Sequence, residues 1–428
     1  MKKPLSVIIL VLIVASAYSQ NLLDIYKSGS VELIPDREYA KDVDWNRALE
    51  SWTDTMVGRW VGDRKSLQIA PDGSAIVSHH FRDFYTVFSP EGDFQKELQV
   101  TNAQGRVFES LPPMHGVLDG NIYYSGLDNM GQMLCFDKDG SLIKRLHLDY
   151  AAKQIIPLPD KKLALVGWVL WQSSVREFVA IVDYETNEET IIWDNHSPRR
   201  FGPNAPRNMF NYSYDYKEGG MIGFSTMPFA RALGMNSPPI IANVGGKLIV
   251  TIPQTGEIRT YDLDGNFVGQ QTIDWTKSSV SVEEQKEIQR KAIQRYRNMQ
   301  DPDFAAWVSP EENLAARDHI VREMEKDLEK ISRPVTLPAF STLIKDSDDN
   351  LLFFGFPEEE GANHFNVWVY GNGGEFVAQS SFNAEGYDLE IKPSKMVFHD
   401  GHIYALIVKN AAQGVPLRLV RFELKGEE

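Results

Sequence analysis

The 428-residue chain lacks the features that would make it a disulfide-rich, nucleic-acid-binding or membrane-embedded protein. Its only cysteine is Cys135, so no internal disulfide can form and the core must supply the stability. The formal net charge of −15 at pH 7 repels phosphate backbones, which argues against nucleic-acid binding. Beyond the first twenty residues, no stretch is apolar enough to span a bilayer.

The sequence also lacks the short motifs of the common enzyme classes. It has no nucleophile elbow, phosphate-binding loop, His-Glu-x-x-His helix or paired-cysteine metal motif. Cys135 could be read as a reactive nucleophile. Its place in the apolar run 133–136 favours a small buried side chain on a strand instead.

The N-terminus has the order of a secretory signal peptide: positive, apolar, then small residues. Lys2 and Lys3 precede an apolar run over 5–14, and Ala17-Tyr18-Ser19 is typical of a cleavage site. We therefore expect residues 1–19 to be removed and the mature chain, without a transmembrane segment, to be periplasmic or secreted. The alternative is a membrane-anchoring helix, although the apolar run is shorter than the ~20 residues needed to span a bilayer.

What the sequence does contain is a repeated unit of two turns and four strands, in which the third strand ends in an aromatic residue before a Gly-containing turn. Self-similarity of this kind indicates a repeat architecture, and Gly-punctuated four-stranded units are typical of β-propeller blades. The plainest copies of the second turn, with the aromatic residue before it, are Phe88-Ser89-Pro90-Glu91-Gly92, Phe136-Asp137-Lys138-Asp139-Gly140, Tyr261-Asp262-Leu263-Asp264-Gly265 and Tyr370-Gly371-Asn372-Gly373-Gly374.

The pattern predicts an all-β, six-bladed propeller over residues 64–428, preceded by a lead-in at 20–63. The last unit ends after three strands, and an open propeller would expose two edges. Residues 31–34 are the candidate for the missing closing strand. Seven blades is the alternative, since residues 209–227 could form an insertion, an extension of unit four or a degraded blade.

Residues 276–333 break the β pattern and predict a two-helix insertion between blades four and five. Ser281-Val282-Glu283-Glu284 and Ser309-Pro310-Glu311-Glu312 both have the spacing of a capping box. A long insertion of this kind is either a functional lid or a packing elaboration of one face.

The crossing after the third unit, residues 196–207, is the first candidate for ligand binding. It carries His196, Arg199, Arg200 and Arg207 in an acidic protein, and its prolines stiffen it. Guanidinium groups suit carboxylate, sulfate or phosphate recognition. The alternative is that these arginines pair with the protein's own surplus carboxylates.

Three further residues are candidates for contact with a ligand. Trp168 and Trp171 could stack on a sugar or a peptide ring, although core packing at a strand edge is the alternative. His115 begins an inner strand, where side chains of propellers point near the axis; the alternative is a surface imidazole or a hydrogen-bonded imidazole in the core. No metal site is expected: adjacent histidines at 79–80 would point to opposite faces of a strand, and the acidic run 358–360 would need further oxygen ligands for Ca²⁺.

The chain resembles the bacterial exported six-bladed β-propeller family related to NHL-repeat proteins. The likeness is greatest in the segments 338–352, 367–376 and 402–406, with 256–265 as the same kind of unit. The resemblance implies a fold and a compartment, because the exported members are largely of unknown function. Related propellers include calcium-dependent lactonases and esterases, and lyases, whose acidic, Asn or His ligands converge on the channel. No such set can be assigned to this sequence.

The sequence therefore favours an exported, non-catalytic binding protein without a cofactor. Its partner would be a protein, a peptide or a glycan held at the loop face of the propeller. The alternative function is a metal-dependent hydrolase or lyase with its site in the channel.

Overall fold

The computed structural model describes most of the chain from residue 21 onward. The described ranges are 21–45, 65–79, 83–109, 111–126, 131–170, 174–198, 210–217, 219–226, 238–276, 279–302, 308–356, 364–384, 386–387, 389, 391, 394–408 and 417–426. The expected signal peptide at 1–19 lies outside them. Among these residues, no helix is long and apolar enough to cross a membrane.

The described residues are mostly strands, with three helices. In the first half of the chain the elements are α1 (Leu22–Lys27), β1 (Ser30–Pro35), β2 (Lys65–Ile69), β3 (Ala75–His79), β4 (Phe84–Phe88), β5 (Phe94–Gln99), β6 (Met114–Leu118), β7 (Ile122–Ser125), β8 (Gln132–Phe136), β9 (Leu142–His147), β10 (Ala151–Leu158), β11 (Lys162–Leu170), β12 (Ser174–Asp183), β13 (Glu189–Pro198), β14 (Phe210–Asp215) and β15 (Met221–Thr226).

The second half contains the other two helices and the remaining strands. These are β16 (Ile240–Val244), β17 (Lys247–Ile252), β18 (Glu257–Tyr261), β19 (Phe267–Thr272), β20 (Ser279–Val280), α2 (Val282–Arg297), α3 (Pro310–Leu328), β21 (Val335–Thr336), β22 (Thr342–Lys345), β23 (Leu351–Phe354), β24 (His364–Tyr370), β25 (Phe376–Asn383), β26 (Met396–His399), β27 (His402–Val408) and β28 (Leu417–Gly426).

Two compact units divide the chain. The first comprises Met1–Met114 and Thr342–Glu428. It holds the four-stranded sheet β2-β3-β4-β5 and an eight-stranded sheet in the order β22-β23-β24-β25-β1-β28-β27-β26. The second comprises His115–Ser341. It holds the four-stranded sheets β6-β7-β8-β9, β10-β11-β12-β13 and β16-β17-β18-β19, together with helices α2 and α3 and two short two-stranded sheets.

The repeated turn has a clear structural cause. Asp137 accepts hydrogen bonds at Oδ1 from the backbone N–H groups of Asp139 and Ser141, each at 2.9 Å. Gly140 then takes a φ of 86°, the left-handed conformation that glycine adopts most readily. The ladder slips by one residue between Cys135 and Phe136, just before the turn. Asp262 builds the same turn with Asp264 and Asn266. The recurrent acid and glycine of the repeat therefore shape the hairpin.

The N-terminal strand β1 lies between the two halves of the eight-stranded sheet. It pairs antiparallel with β28, from Val31 with Gly426 to Pro35 with Phe422, so β26, β27, β28 and β1 form a four-stranded group. Its other edge pairs in parallel with the end of β25, which the sequence did not indicate. Val31 and Leu33 are buried in the core of this sheet.

Helix α1 fixes the start of β1. Tyr26 is fully buried, stacks on Phe382 and donates a hydrogen bond from its hydroxyl to Asp346 Oδ2 at 3.0 Å. Burial raises the pKa of Asp346, even though Asn350 and Tyr26 both donate to it. After β1, Asp36 accepts from the Arg421 guanidinium, which lies over the Tyr39 ring. The residues around β1 are thus tied to the sheets through both packing and polar contacts.

The two-helix insertion is present and is joined to the sheets by the short pair β20–β21. Helices α2 and α3 pack through a small core around Ile293, Ile320 and Met324. The first capping box is complete: Ser281 accepts from Glu284 N–H, and the Glu284 carboxylate accepts from Ser281 N–H. The second is half formed, because Ser309 caps Glu312 N–H while the Glu312 side chain turns elsewhere.

The segment that could have formed an extra blade is a two-stranded hairpin, β14–β15, in the described residues. It packs on α3 rather than on a third strand. Tyr214 Oη donates to Glu312 Oε1 at 2.9 Å, and Lys217 Nζ lies 3.3 Å from Glu312 Oε2. Tyr216 is buried with Ala316. The hairpin and the insertion therefore form one accessory element of the second unit.

Candidate functional site

The sheet β10–β13 is longer than the other described sheets of the second unit. Its second strand, β11, has nine residues, whereas β17, the second strand of the sheet β16–β19, has six. Strands β12 and β13 each have ten residues. At about 3.3 Å per residue, three extra residues add ~10 Å. The added length lies at the end away from the turns, in residues 168–170, 174–177 and 195–198, which we name the raised edge.

One face of the raised edge is organised by an arginine. Arg176 makes a two-pronged ion pair with Asp194, with Nη2 to Oδ2 at 2.6 Å and Nε to Oδ1 at 3.0 Å. Its guanidinium lies 5.0 Å from the centre of the Phe178 ring, and Tyr150 meets that ring edge-on at 4.7 Å. His196 is the cross-strand partner of Arg176, and its Nε2 lies 3.7 Å from Asp194 Oδ1.

The geometry of this face is set by a glycine. A Cβ at Gly167 would lie 2.4 Å from the Phe178 ring, so only glycine leaves room for that ring next to β11. The Arg176 guanidinium lowers the pKa of Asp194 by hydrogen bonding, so the carboxylate remains ionised at neutral pH. This face therefore presents a fixed ion pair beside an exposed imidazole.

The opposite face of the raised edge carries Trp168. Trp168, Glu177 and Asn195 are cross-strand partners, so their side chains share a face. The Lys153 ammonium lies 4.4 Å from the centre of the Trp168 ring, a cation–π contact. The Lys153 side chain is exposed at the surface. Desolvation by nearby protein atoms nevertheless lowers the pKa of its ammonium, and the negative charge of Glu177 opposes that shift.

The structure thus places Trp168 and His196 on the same raised edge but on opposite faces, because side chains alternate along a strand. One face of the Trp168 ring is already covered by Lys153. A stacked ligand would have to use the other face of the indole or displace the ammonium.

His115 occupies the second position of β6, at the end of the strand away from the turn. Its ring packs so closely on Gly126 that a Cβ there would lie 2.0 Å from His115 Nε2. Burial lowers the pKa of His115 to about 4, so the imidazole is neutral at physiological pH. It can offer a hydrogen bond but not a positive charge.

Several of the residues singled out in the sequence lie outside the described residues. They are Trp171, Arg199, Arg200, Arg207, His80 and the acidic run 358–360. The arginines of the crossing therefore remain a prediction from sequence.

The only thiol and the acids of the repeated turns have structural roles that account for them. Burial raises the pKa of the Cys135 thiol to about 12, with Lys144 opposing the shift. Hydrogen bonds from the Asn266 side chain and backbone lower the pKa of Asp262. Among the described residues, no group of three or more His, Cys, Asp or Glu side chains is placed to hold a metal ion.

The Arg176–Asp194 pair and the Lys153–Trp168 contact did not emerge from the sequence. Arg176 and Glu177 are adjacent charges at the start of an apolar strand segment, where they look like ordinary solvent-exposed residues. Only the cross-strand register brings each charge to its partner.

Comparisons with known proteins concern the fold. Neither a family model nor a curated protein matches the sequence. Among solved structures, the chain is similar to a member of the DUF4221 family from Bacteroides vulgatus, at a TM-score of 0.51 and 11% identity, covering 94% of this chain and 100% of that chain. It is less similar to a protein described as exported from Bacteroides fragilis, at a TM-score of 0.42 and 9% identity, covering 85% and 90% of the two chains.

A third structure is the β-propeller domain of Cps50 (Swd1) from Myceliophteria thermophila, at a TM-score of 0.34 and 10% identity, covering 84% of this chain and 96% of that chain. At these identities the likeness is one of fold alone. The chain is a mostly β protein of four-stranded antiparallel sheets, the unit from which β-propellers are built.

Proposed function

We propose that the protein is an exported, non-catalytic binding protein that uses the raised edge of sheet β10–β13 to hold a protein, a peptide or a glycan. The observation that carries the proposal is the raised edge itself. Its strands are longer than those of the other described sheets of the second unit, and it holds charged and aromatic side chains in defined contacts. Side chains that are already ordered lose little entropy on binding, which favours recognition.

The proposed scaffold is a six-bladed propeller of the NHL-like type. The described residues supply six groups of four strands: four separate sheets, and two groups that β1 joins into one sheet. The hairpin β14–β15 has two strands in the described residues and is not counted as a blade. The signal-peptide pattern at residues 1–19 supports export to the periplasm or beyond.

The proposed ligand carries an anionic group. The chain leaves the raised edge at Pro198 and continues directly into the crossing that contains Arg199, Arg200 and Arg207. Cationic groups in a protein of net charge −15 would attract an anion against the overall field. An aromatic face at Trp168 would contact the uncharged part of such a ligand.

Binding to an array of acidic and neutral glycans and peptides tests this proposal. We expect at least one acidic probe to bind the intact chain. The variant R199A/R200A/R207A should bind that probe at least about tenfold more weakly, and Trp168→Ala should weaken it as well. Arg145→Ala, on outer strand β9, is a control for the loss of positive charge.

Two results would contradict the proposal. One is an array without any bound probe. The other is a probe bound equally well by the intact chain and the triple variant at moderate salt. If protein purified without a chelator carried one Ca²⁺ or Zn²⁺ per chain, a metal-dependent hydrolase or lyase would be favoured instead.

A further inference from the structure

A β-bulge in strand β10 sets the position of Lys153. The ladder between β10 and β11 slips between Ala152 and Gln154, so Lys153 lies between two ladder pairs as an extra residue. Bulges are over-represented next to active sites, where they redirect a side chain. This bulge accompanies the placement of the Lys153 ammonium 4.4 Å from the centre of the Trp168 ring.

The residue after the bulge holds β10 in place. The Gln154 side chain accepts a hydrogen bond from the Ile241 N–H and donates one to the Ile241 carbonyl, each at 2.9 Å. These two bonds tie β10 to strand β16 directly beside the bulge. The backbone that carries Lys153 is therefore fixed by its neighbours, and the ammonium is positioned without an ion pair of its own.

The Lys153 ammonium has hydrogen-bond donors to offer to a ligand. Among the residues that the structure describes, Lys153 forms no ion pair, and its charged end contacts the indole of Trp168. An ammonium carries three N–H donors. Arg176 differs, because its guanidinium already donates twice to Asp194. Of these two cations, Lys153 is thus the one placed to donate to a bound molecule.

The described side chains around Trp168 include one charge of each sign. Glu177 is the cross-strand partner of Trp168, and its negative charge acts on Lys153. An ammonium and a carboxylate beside one indole attract neither a cation nor an anion strongly. They suit a hydroxyl-rich molecule, because each hydroxyl both donates and accepts hydrogen bonds while the carbon skeleton contacts the indole.

A sugar ring meets these requirements better than a protein surface does. Desolvation already lowers the pKa of Lys153, which shows that its ammonium has lost part of its hydration. A packed protein surface would remove more water and leave the charge poorly solvated, which is costly. Sugar hydroxyl groups would instead take the place of that water around the ammonium.

We propose that Trp168, Lys153 and Glu177 form a subsite for one neutral pyranose ring of an acidic glycan. The ring would contact the part of the half-buried indole that Lys153 leaves uncovered, accept from Lys153 and donate to Glu177. This inference rests on the proposed function, which places the anionic group of the ligand at the adjacent crossing. It narrows the partner to a glycan.

An array of matched acidic probes tests the class of ligand. It contains uronic-acid and sulfated oligosaccharides that include neutral pyranoses, together with Asp/Glu peptides of the same charge. We expect at least one oligosaccharide to bind and the peptides to bind at least about tenfold more weakly. If only peptides bound, the glycan subsite would be overturned while the proposed binding of an anionic ligand would stand.

Three lysine variants measure the contribution of the subsite to binding of that oligosaccharide. Lys153→Met keeps an apolar stem on the indole but removes the donors, so we expect binding to weaken at least about tenfold. Lys153→Arg should stay within about threefold, since a guanidinium also lies over rings and donates. Lys247→Met removes the same charge from the exposed start of β17 and should stay within about twofold.

Proton NMR and chemical labelling locate the contact. A pyranose stacked on an indole has its C–H protons above the aromatic ring, so we expect the signals of one ring to move upfield with the intact chain. Trp168→Leu should abolish that shift. The bound oligosaccharide should also protect Lys153, but not Lys247, from acetylation by acetic anhydride.

Three results would overturn the subsite even if an acidic oligosaccharide bound. They are unchanged binding by Lys153→Met, equal weakening by Lys153→Met and Lys247→Met, and an upfield shift that persists in Trp168→Leu. In each case, weaker binding by R199A/R200A/R207A would still support the anionic-ligand site, so the two proposals fail separately. An array without any bound probe would overturn both.

Discussion

At the scale of single residues, the repeat of this chain is a repeat of turn chemistry. In two of the four plainest turns, an acid follows the aromatic residue directly: Asp137 and Asp262. In the structure, both carboxylates accept hydrogen bonds from backbone N–H groups two and four residues further on. A carboxylate engaged in this way supports a hairpin and has little capacity left for a ligand.

Glycines within such turns differ in what surrounds them, and this difference can be tested. Gly92 has a φ of 93°, and a Cβ there would lie 2.6 Å from the backbone nitrogen of Ala40. Gly401, in the same unit, has a φ of 76° with nothing within 4 Å. We expect Gly401→Ala to cost about 1–2 kcal/mol for the left-handed conformation alone. Gly92→Ala should cost about 1–3 kcal/mol more, because the segment at Ala40 must move.

Urea denaturation of the two variants measures both values. Equal losses of unfolding free energy in Gly92→Ala and Gly401→Ala would mean that the close approach of the N-terminal segment to the turn does not contribute.

At the scale of elements, the accessory hairpin and the insertion are held together by a buried carboxylate. Burial raises the pKa of Glu312, but hydrogen bonds from Tyr214 and from the Lys217 backbone and ammonium outweigh it and lower the pKa overall. A lowered pKa in the folded state means that the stabilisation is present above the ordinary glutamate pKa. It is lost as the pH falls through the folded value.

Glu312→Gln should therefore lower the thermal midpoint at pH 7, and the difference from the unmodified chain should shrink below about pH 4.3. Glu311→Gln is the matched control, because it removes the same negative charge from an exposed neighbouring position. Calorimetry at several pH values measures the effect. The stabilising role of the Glu312 carboxylate would be contradicted if the two variants had the same thermal midpoint at pH 7. It would also be contradicted if the effect of Glu312→Gln grew as the pH fell.

At the scale of the whole molecule, helices α2 and α3 are an addition to a framework of strands. The insertion leaves and rejoins the second unit through β20 and β21, where Val280 pairs with Val335. Replacing residues 281–334 with Asn-Gly would join these strands by a two-residue hairpin turn. We expect the β signal in circular dichroism to persist while the helical signal falls.

The thiol of Cys135 reports whether the sheets of the second unit remain folded in that variant. Cys135 is fully buried, and its pKa is raised to about 12, so it should not react with a thiol reagent before unfolding. We expect one label per chain in urea and none in buffer, for the intact chain and the shortened one alike. Rapid labelling of the shortened chain in buffer would show that the insertion is needed for the fold.

The sequence by itself determined the features that depend on neighbouring residues. The four-stranded units, their left-handed glycines and the capping box at Ser281 follow from patterns a few residues long. The strand count also pointed to the N-terminal segment as a partner for the last strand, because a three-stranded unit at the end of the chain leaves an edge to cover.

Tertiary structure alone decided the features that join distant residues. Val31 meets both Gly426 and Phe382, and no local pattern encodes the second of these pairings. Glu312 has the spacing of a capping box, yet its carboxylate bonds to Tyr214, because a buried partner 98 residues away competes with the local one. For the same reason the candidate site was only partly predictable. Trp168 and His196 were found by residue type, but strand register places them on opposite faces and brings Lys153 and Asp194 to them.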